Sequence, residues 1–220
     1  MSRCRHAGSL LLVLAAAALA GCETVARDYM PLAVGNRWEY AVDWHRGEAA
    51  PQAATDFIEI TQKVGRSSFR ARELGLTTVW AKEQGYLTRS DGRWREGLLL
   101  LPPHTGYKWR VNTTGGPRFY EVMGREKVMV PAGEFPNSVK VTCRSLSGKR
   151  LLHRWFAPKI GMVKLERRYA GKLVETKVLT GCRLRTPGSP GAPGSAAPPI
   201  PGRRGPADPQ AEPEPGPGLP

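Results

Sequence analysis

Between Tyr29 and Arg185 the chain changes sides at almost every residue. In NRWEYAVDW, Trp38, Tyr40, Val42 and Trp44 share one parity, and Arg37, Glu39 and Asp43 share the other. GYKWRVN sets Tyr107, Trp109 and Val111 against Lys108, Arg110 and Asn112. Ile58, Ile60 and Val64 recur in DFIEITQKV, Phe69 and Ala71 in SFRAREL, and Val163, Leu165 and Tyr169 in GMVKLERRY. A period of two marks half-buried antiparallel strands, with one face on a core and one in water. Turn chemistry separates the runs. VPAG (Val130–Gly133) has Pro and Gly where a type I turn prefers them. APKIG, SDGR, SGK and AGK punctuate the rest. LLLLPP (Leu98–Pro103) reads as a buried strand or as a strand running into a loop. No amphipathic helix of about ten residues stands out. The pattern predicts an all-β fold: a single antiparallel meander of about 10–11 strands, as a curved sheet or a half or full barrel.

The alternation stops at both ends. Residues 1–21 hold a cationic start (Arg3, Arg5, His6) and then an apolar or small run from Gly8 to Gly21. That run is shorter than the roughly 20 residues that span a bilayer, and the order of its parts is that of an export leader. Residues 22–28 read as a short tether, and 29–185 as one globular β domain. Residues 186–220 are dense in Pro and Gly with almost no large apolar side chain. They bury too little surface to offset chain entropy and are expected to be a disordered tail with polyproline II character.

The leader ends in LAGC, which resembles the lipobox of bacterial prolipoproteins. The resemblance implies diacylglycerol attachment to the Cys22 thiol, then cleavage between Gly21 and Cys22. Two or three acyl chains make a lasting anchor where one is marginal. Glu23, not Asp, follows Cys22. In enterobacterial lipoproteins Asp there favours inner-membrane retention, so the resemblance leans toward the outer membrane, facing the periplasm. Cys4 would leave with the leader, so Cys143 and Cys182 would remain in an oxidising compartment. Cys143 is in phase with Val139 and Val141, and Cys182 with Val174 and Val178. A Cys143–Cys182 disulfide is expected, with two buried thiols as the alternative.

Charge changes the picture less. The formal net charge is +14, and losing Arg3 and Arg5 with the leader leaves +12. The cations are scattered, and Gly, Ala and Pro are abundant, so composition alone accounts for much of the excess. A cationic domain at a membrane suits anionic head groups or polymers. Nucleic acid is not an expected partner of an exported protein.

Three further stretches carry a second resemblance. YMPLAVGNRWEY, VMVPAGEFPNSVKV and WFAPKIGMVKLE are similar to turn and core motifs of bacterial lipoproteins and periplasmic β-rich proteins of uncharacterised function. The resemblance runs from Tyr29 to about Glu166, speaks to fold, and brings no catalytic residue with it.

Sequence motifs for catalysis are missing: there is no G-x-S-x-G, H-E-x-x-H, Walker loop or C-x-x-C. His45, His104 and His153 lie far apart, so no metal or cofactor is expected. Glu59, Glu73, Glu83 and Glu121 are read as mostly solvated strand positions. The expected role is therefore non-catalytic, a structural or interaction module held to the membrane by lipid on Cys22, with an envelope protein or anionic polymer as partner. The alternative is a carrier of a lipid or other apolar ligand, with Trp38, Tyr40, Trp44, Tyr107 and Trp109 as ligand-face aromatics. An envelope-polymer hydrolase is the remote third reading. A carrier needs an apolar cavity inside the sheet, whereas an interaction module fills that space with side chains.

Overall fold

The structure is a computed structural model that describes residues 28–45 and 52–185. The leader, Cys22 with nearly all of the tether, and the 186–220 tail lie outside the described residues. Every described residue belongs to the compact unit Met1–Pro187.

Twelve antiparallel strands follow one another: β1 Arg37–Trp44, β2 Gln52–Lys63, β3 Ser68–Glu73, β4 Leu76–Glu83, β5 Tyr86–Ser90, β6 Arg95–Leu100, β7 Lys108–Thr113, β8 Gly116–Val130, β9 Gly133–Ser145, β10 Arg150–Ala157, β11 Gly161–Tyr169 and β12 Lys172–Arg183. The all-β meander is as expected, with one or two more strands. The tight turns predicted at VPAG, APKIG and AGK join β8–β9, β10–β11 and β11–β12. In the last, Ala170 and Gly171 both have positive φ (47° and 82°), the two-residue geometry that matches strand twist.

The order across the sheet is β6-β5-β4-β3-β2-β1-β12-β11-β10-β9-β8-β7. The first and last strands pair along the whole of β1, from Arg37↔Arg183 to Trp44↔Glu175. The sheet therefore curls into a nearly closed barrel whose gap falls mid-chain, between β6 and β7. Side chains bridge that seam. The Trp109 indole Nε1 on β7 donates to the Gly97 carbonyl on β6 at 3.1 Å. Its ring stacks on Tyr120 with centroids 5.1 Å apart, and the Tyr86 and Tyr107 hydroxyls meet at 3.3 Å.

One end of the barrel is sealed. The segment preceding β1 lays Tyr29 and Met30 across it, both fully buried. The Tyr29 hydroxyl accepts from Arg125 of β8 at 2.7 Å, and the Asp28 carboxylate pairs with Lys82 of β4 at 2.5 Å. The Asp28 carbonyl accepts from the Lys159 amide in the β10–β11 turn. A segment that touches β4, β8 and β10–β11 together must cross the barrel mouth. Gly161 permits this: a Cβ there would lie 2.7 Å from the Met30 sulfur. Trp38, Tyr40, Ile60, Leu87, Leu99, Phe156, Val163 and Leu179 fill the space below the plug. Each fully buried aliphatic or aromatic side chain of this kind contributes roughly 1.5–3 kcal/mol.

Candidate functional site: an arginine-rich open end

The interior changes character along six of the strands. On the inward parity, β2 runs from Ile60 and Ile58 to Asp56, and β3 from Ala71 to Glu73. The same holds for Leu98 to Glu96 on β6, Leu165 to Arg167 on β11, Leu179 to Lys177 and Glu175 on β12, and Tyr120 to Arg118 on β8. Apolar residues lie toward the plug and charged ones toward the opposite, unplugged end. A sheet closed on itself gives both groups one shared interior.

The charges at this end are paired between strands. Lys177 of β12 holds Asp56 of β2. Arg89 of β5 holds Glu73 of β3 at 2.6 Å, and Glu73 also accepts from the Thr78 hydroxyl at 2.5 Å and the Trp80 indole at 2.6 Å. Glu96 of β6 accepts from Arg154 of β10 at 2.9 Å and from the Tyr120 hydroxyl of β8 at 2.6 Å. Arg167 Nε lies 3.1 Å from Glu175 Oε2, an ion pair without a hydrogen bond. Burying a charge without a partner is costly, so these pairs are interdependent.

Electrostatics follow from that packing. Burial pushes the Glu96 carboxyl up, but the Arg154 guanidinium and the Tyr120 hydroxyl outweigh it and hold it below the usual carboxylate range. Burial, then the Glu96 charge, drive the Tyr120 phenol far up. Burial also raises the Cys143 thiol, which keeps it protonated and unreactive near neutral pH. Burial opposes the charge on Arg154, but Glu96 outweighs it and the guanidinium stays ionised. Glu96 and Arg154 are thus held as a buried pair of opposite charges.

Two spaces open at this end. An inner cavity of about 220 Å³ is bounded by Val42, Trp44, Trp80, Leu98 and Met162 together with the ionic groups. Above it a wider basin of about 680 Å³ is lined by Arg89, Arg118, Arg150, Arg154, Arg167 and Arg168, with Glu96 as its only carboxylate among the described residues. Arg89, Arg154 and Arg167 border both spaces.

The structure disperses the expected ligand-face aromatics. Trp38 and Tyr40 are core: the Trp38 indole donates to the Ile160 carbonyl at 2.6 Å and the Tyr40 hydroxyl to the Met162 carbonyl at 3.0 Å. Trp44 borders the inner cavity, while Tyr107 and Trp109 belong to the seam. Glu73 corrects the solvated reading. It shares parity with Phe69 and Ala71 and is 7% exposed, held inside by Arg89. The expected disulfide is corrected too. Cys143 and Cys182 are free thiols, the first buried and the second exposed. Cys143 lies toward the open end of β9 and Cys182 toward the plugged end of β12, with β10 and β11 between them. Three strand spacings of about 4.8 Å exceed the reach of a disulfide, whose Cα atoms sit about 4.4–6.8 Å apart. A bulge opposite Glu39–Tyr40 also breaks the parity that had linked Cys182 to Val174 and Val178.

Sequence reasoning missed the inward arginines. Their signal is a charged residue on an apolar parity, as in Leu152-His153-Arg154 and Leu165-Glu166-Arg167.

No protein-family model and no curated protein matches the chain. Among solved structures, one similar chain is a protein assigned as exported, with a YmcC-like fold, from Bacteroides fragilis. It has 15% identity and a TM-score of 0.44, covering 72% of this chain and 100% of its own. A second is a protein assigned as a lipoprotein from Parabacteroides distasonis, at 13% identity and a TM-score of 0.40, covering 72% of this chain and 99% of its own.

Proposed function

We propose that the protein is a lipid-anchored component of the bacterial cell envelope, on the outer membrane facing the periplasm. Its β domain is non-catalytic and serves as a binding module. It presents the open, arginine-rich end of the barrel away from the bilayer. The observation that carries this reading is the plug. Asp28 lies on the sealed end, six positions after Cys22, a reach of no more than about 20 Å when extended. Lipid on Cys22 therefore keeps the sealed end near the membrane and leaves the basin free to meet a partner.

The interior favours an interaction module over a carrier of apolar ligands. The half of the lumen near the plug is filled by side chains, and the half near solvent is ionic. An acyl chain entering from the open end would have to displace buried ion pairs to reach apolar surface, at a cost of roughly 3–5 kcal/mol for each pair broken with a charge left buried and unpaired. The partner class fitting this surface is an anionic envelope component, protein-borne or polymeric.

Cell fractionation tests the anchor. Cys22→Ser is expected to move the protein out of the membrane fraction, as an uncleaved or soluble form. Unchanged membrane fractionation and a protein without fatty acid would overturn the reading.

A further inference from the structure

We propose that the basin binds a phosphate monoester, with the dianionic phosphoryl group held between Arg118, Arg150 and the free edge of Arg154. The proposal rests on the reading of the open end as the binding surface and adds the chemistry of what binds there.

Arg154 supplies the first argument. Its side chain is 8% exposed, and its Nη2 is committed to Glu96 at 2.9 Å. Its Nη1 is buried and has no hydrogen-bond partner, while the residue borders both the basin and the inner cavity. Buried donors are nearly always satisfied, so an orphaned guanidinium nitrogen on a residue that borders a solvent-open space is a donor awaiting an acceptor.

The second argument is position. Arg118 lies opposite Ser145 in the β8–β9 ladder. The Arg150 amide donates to the Ser145 hydroxyl at 3.1 Å. The two arginines thus flank one residue from neighbouring strands, both on the inward parity at the rim. Arg154 is four residues deeper on β10, on the same side as Arg150. Among the described residues, neither Arg118 nor Arg150 has a carboxylate within ion-pair distance, whereas Arg89 and Arg167 are spoken for by Glu73 and Glu175.

Charge selects the ligand class. A guanidinium fork matches the oxygens of phosphate or carboxylate. A monocarboxylate presents two oxygens and one charge, enough for a single fork, and would leave the second rim arginine uncompensated. A phosphate monoester presents three terminal oxygens and nearly two charges, which suits two unpaired rim arginines and one orphaned nitrogen. The basin, at about 680 Å³, leaves room beyond the phosphoryl group for the organic part of the ester.

Calorimetric titration of the full mature chain in detergent tests this, with inorganic phosphate, glycerol 3-phosphate, dihexanoyl phosphatidic acid and acetate as probes. Saturable one-site binding of the phosphates and much weaker binding of acetate are expected. Arg118→Gln and Arg150→Gln, at half-buried and exposed rim positions, should each weaken phosphate binding at least about tenfold, the size of one lost charged hydrogen bond. Arg70→Gln, on the outer face of β3, should leave it unchanged. Glycerol 3-phosphate binding at least as tightly as the lipid assigns a soluble ester. Tighter binding of phosphatidic acid assigns a lipid head group. Both outcomes support the shared chemistry. Absence of saturable phosphate binding, equal affinity for acetate, or indifference to both rim substitutions would overturn the proposal. If phosphate binding fails while fractionation still depends on Cys22, the ligand class falls and the anchored binding module stands.

Discussion

Glu96 and Arg154 show how single residues set the chemistry of the open end. Each is almost fully buried, and each is the other's principal counter-ion. Glu96→Gln would leave the Arg154 charge uncompensated and is expected to destabilise the fold by about 3–5 kcal/mol, read as a lower midpoint in denaturant titration. The pH dependence has a defined sign. The folded-state pKa of Glu96 is held below its ordinary value of 4.5. Its contribution is therefore fully present above that value and is lost as pH falls through the depressed folded pKa. The parent protein should lose stability more steeply in that acid window than Glu96→Gln, and parallel curves would contradict the assignment. Residues of this kind were the least legible in the sequence. Trp38, Tyr40 and Val42 declare their inward face by hydrophobicity alone. Glu73 occupies an inward position too, but its partner Arg89 is supplied two strands later, so the local sequence looks like a solvated strand end. Cys182 was misread for a different reason: a bulge next to Gly181 sets it opposite Trp38 and out of phase with Val178, and its separation from Cys143 follows from a strand order that no local pattern gives.

At the scale of elements, the meander was readable because each strand alternates and the turns carry Gly, Pro or Asp at punctuating positions. Where the barrel opens was not readable. A meander of consecutive hairpins leaves its two terminal strands free, yet here β1 and β12 pair and the free edges are β6 and β7. The physical difference lies in LPPHTGY, seven residues between β6 and β7 with two prolines, which cannot form a two-residue hairpin. Trp109 compensates by fastening β7 to β6 through its indole donor and its stack on Tyr120. Trp109→Ala should therefore loosen this region first. Amide exchange in β6 and β7 is expected to accelerate well beyond that in the β1–β12 pair, with a global cost of about 3 kcal/mol. Uniform acceleration across all strands would show that the seam has no independent stability.

The whole molecule is polarised along the barrel axis. The plug, the apolar core and the chain end that leads to Cys22 occupy one half, while paired charges, an ionised lining and the arginine basin occupy the other. The fold class was legible in the sequence, since alternation is a local pattern. The basin was not, because Arg89, Arg118, Arg154 and Arg167 come from four strands that only closure brings together. The most direct test is an energy-transfer measurement on the lipidated protein in vesicles with an acceptor dye in the bilayer. In a Cys182→Ser background, one donor sits at Ser67→Cys, on the β2–β3 turn of the sealed end. A second sits at Ser147→Cys, on the β9–β10 turn of the open end. The two turns are about 20 Å apart along the barrel, given the rise and tilt of its strands. The account predicts markedly stronger transfer from position 67 than from position 147. Equal transfer, or stronger transfer from position 147, would mean that the basin lies against the membrane, and the proposed presentation of the binding surface would be wrong.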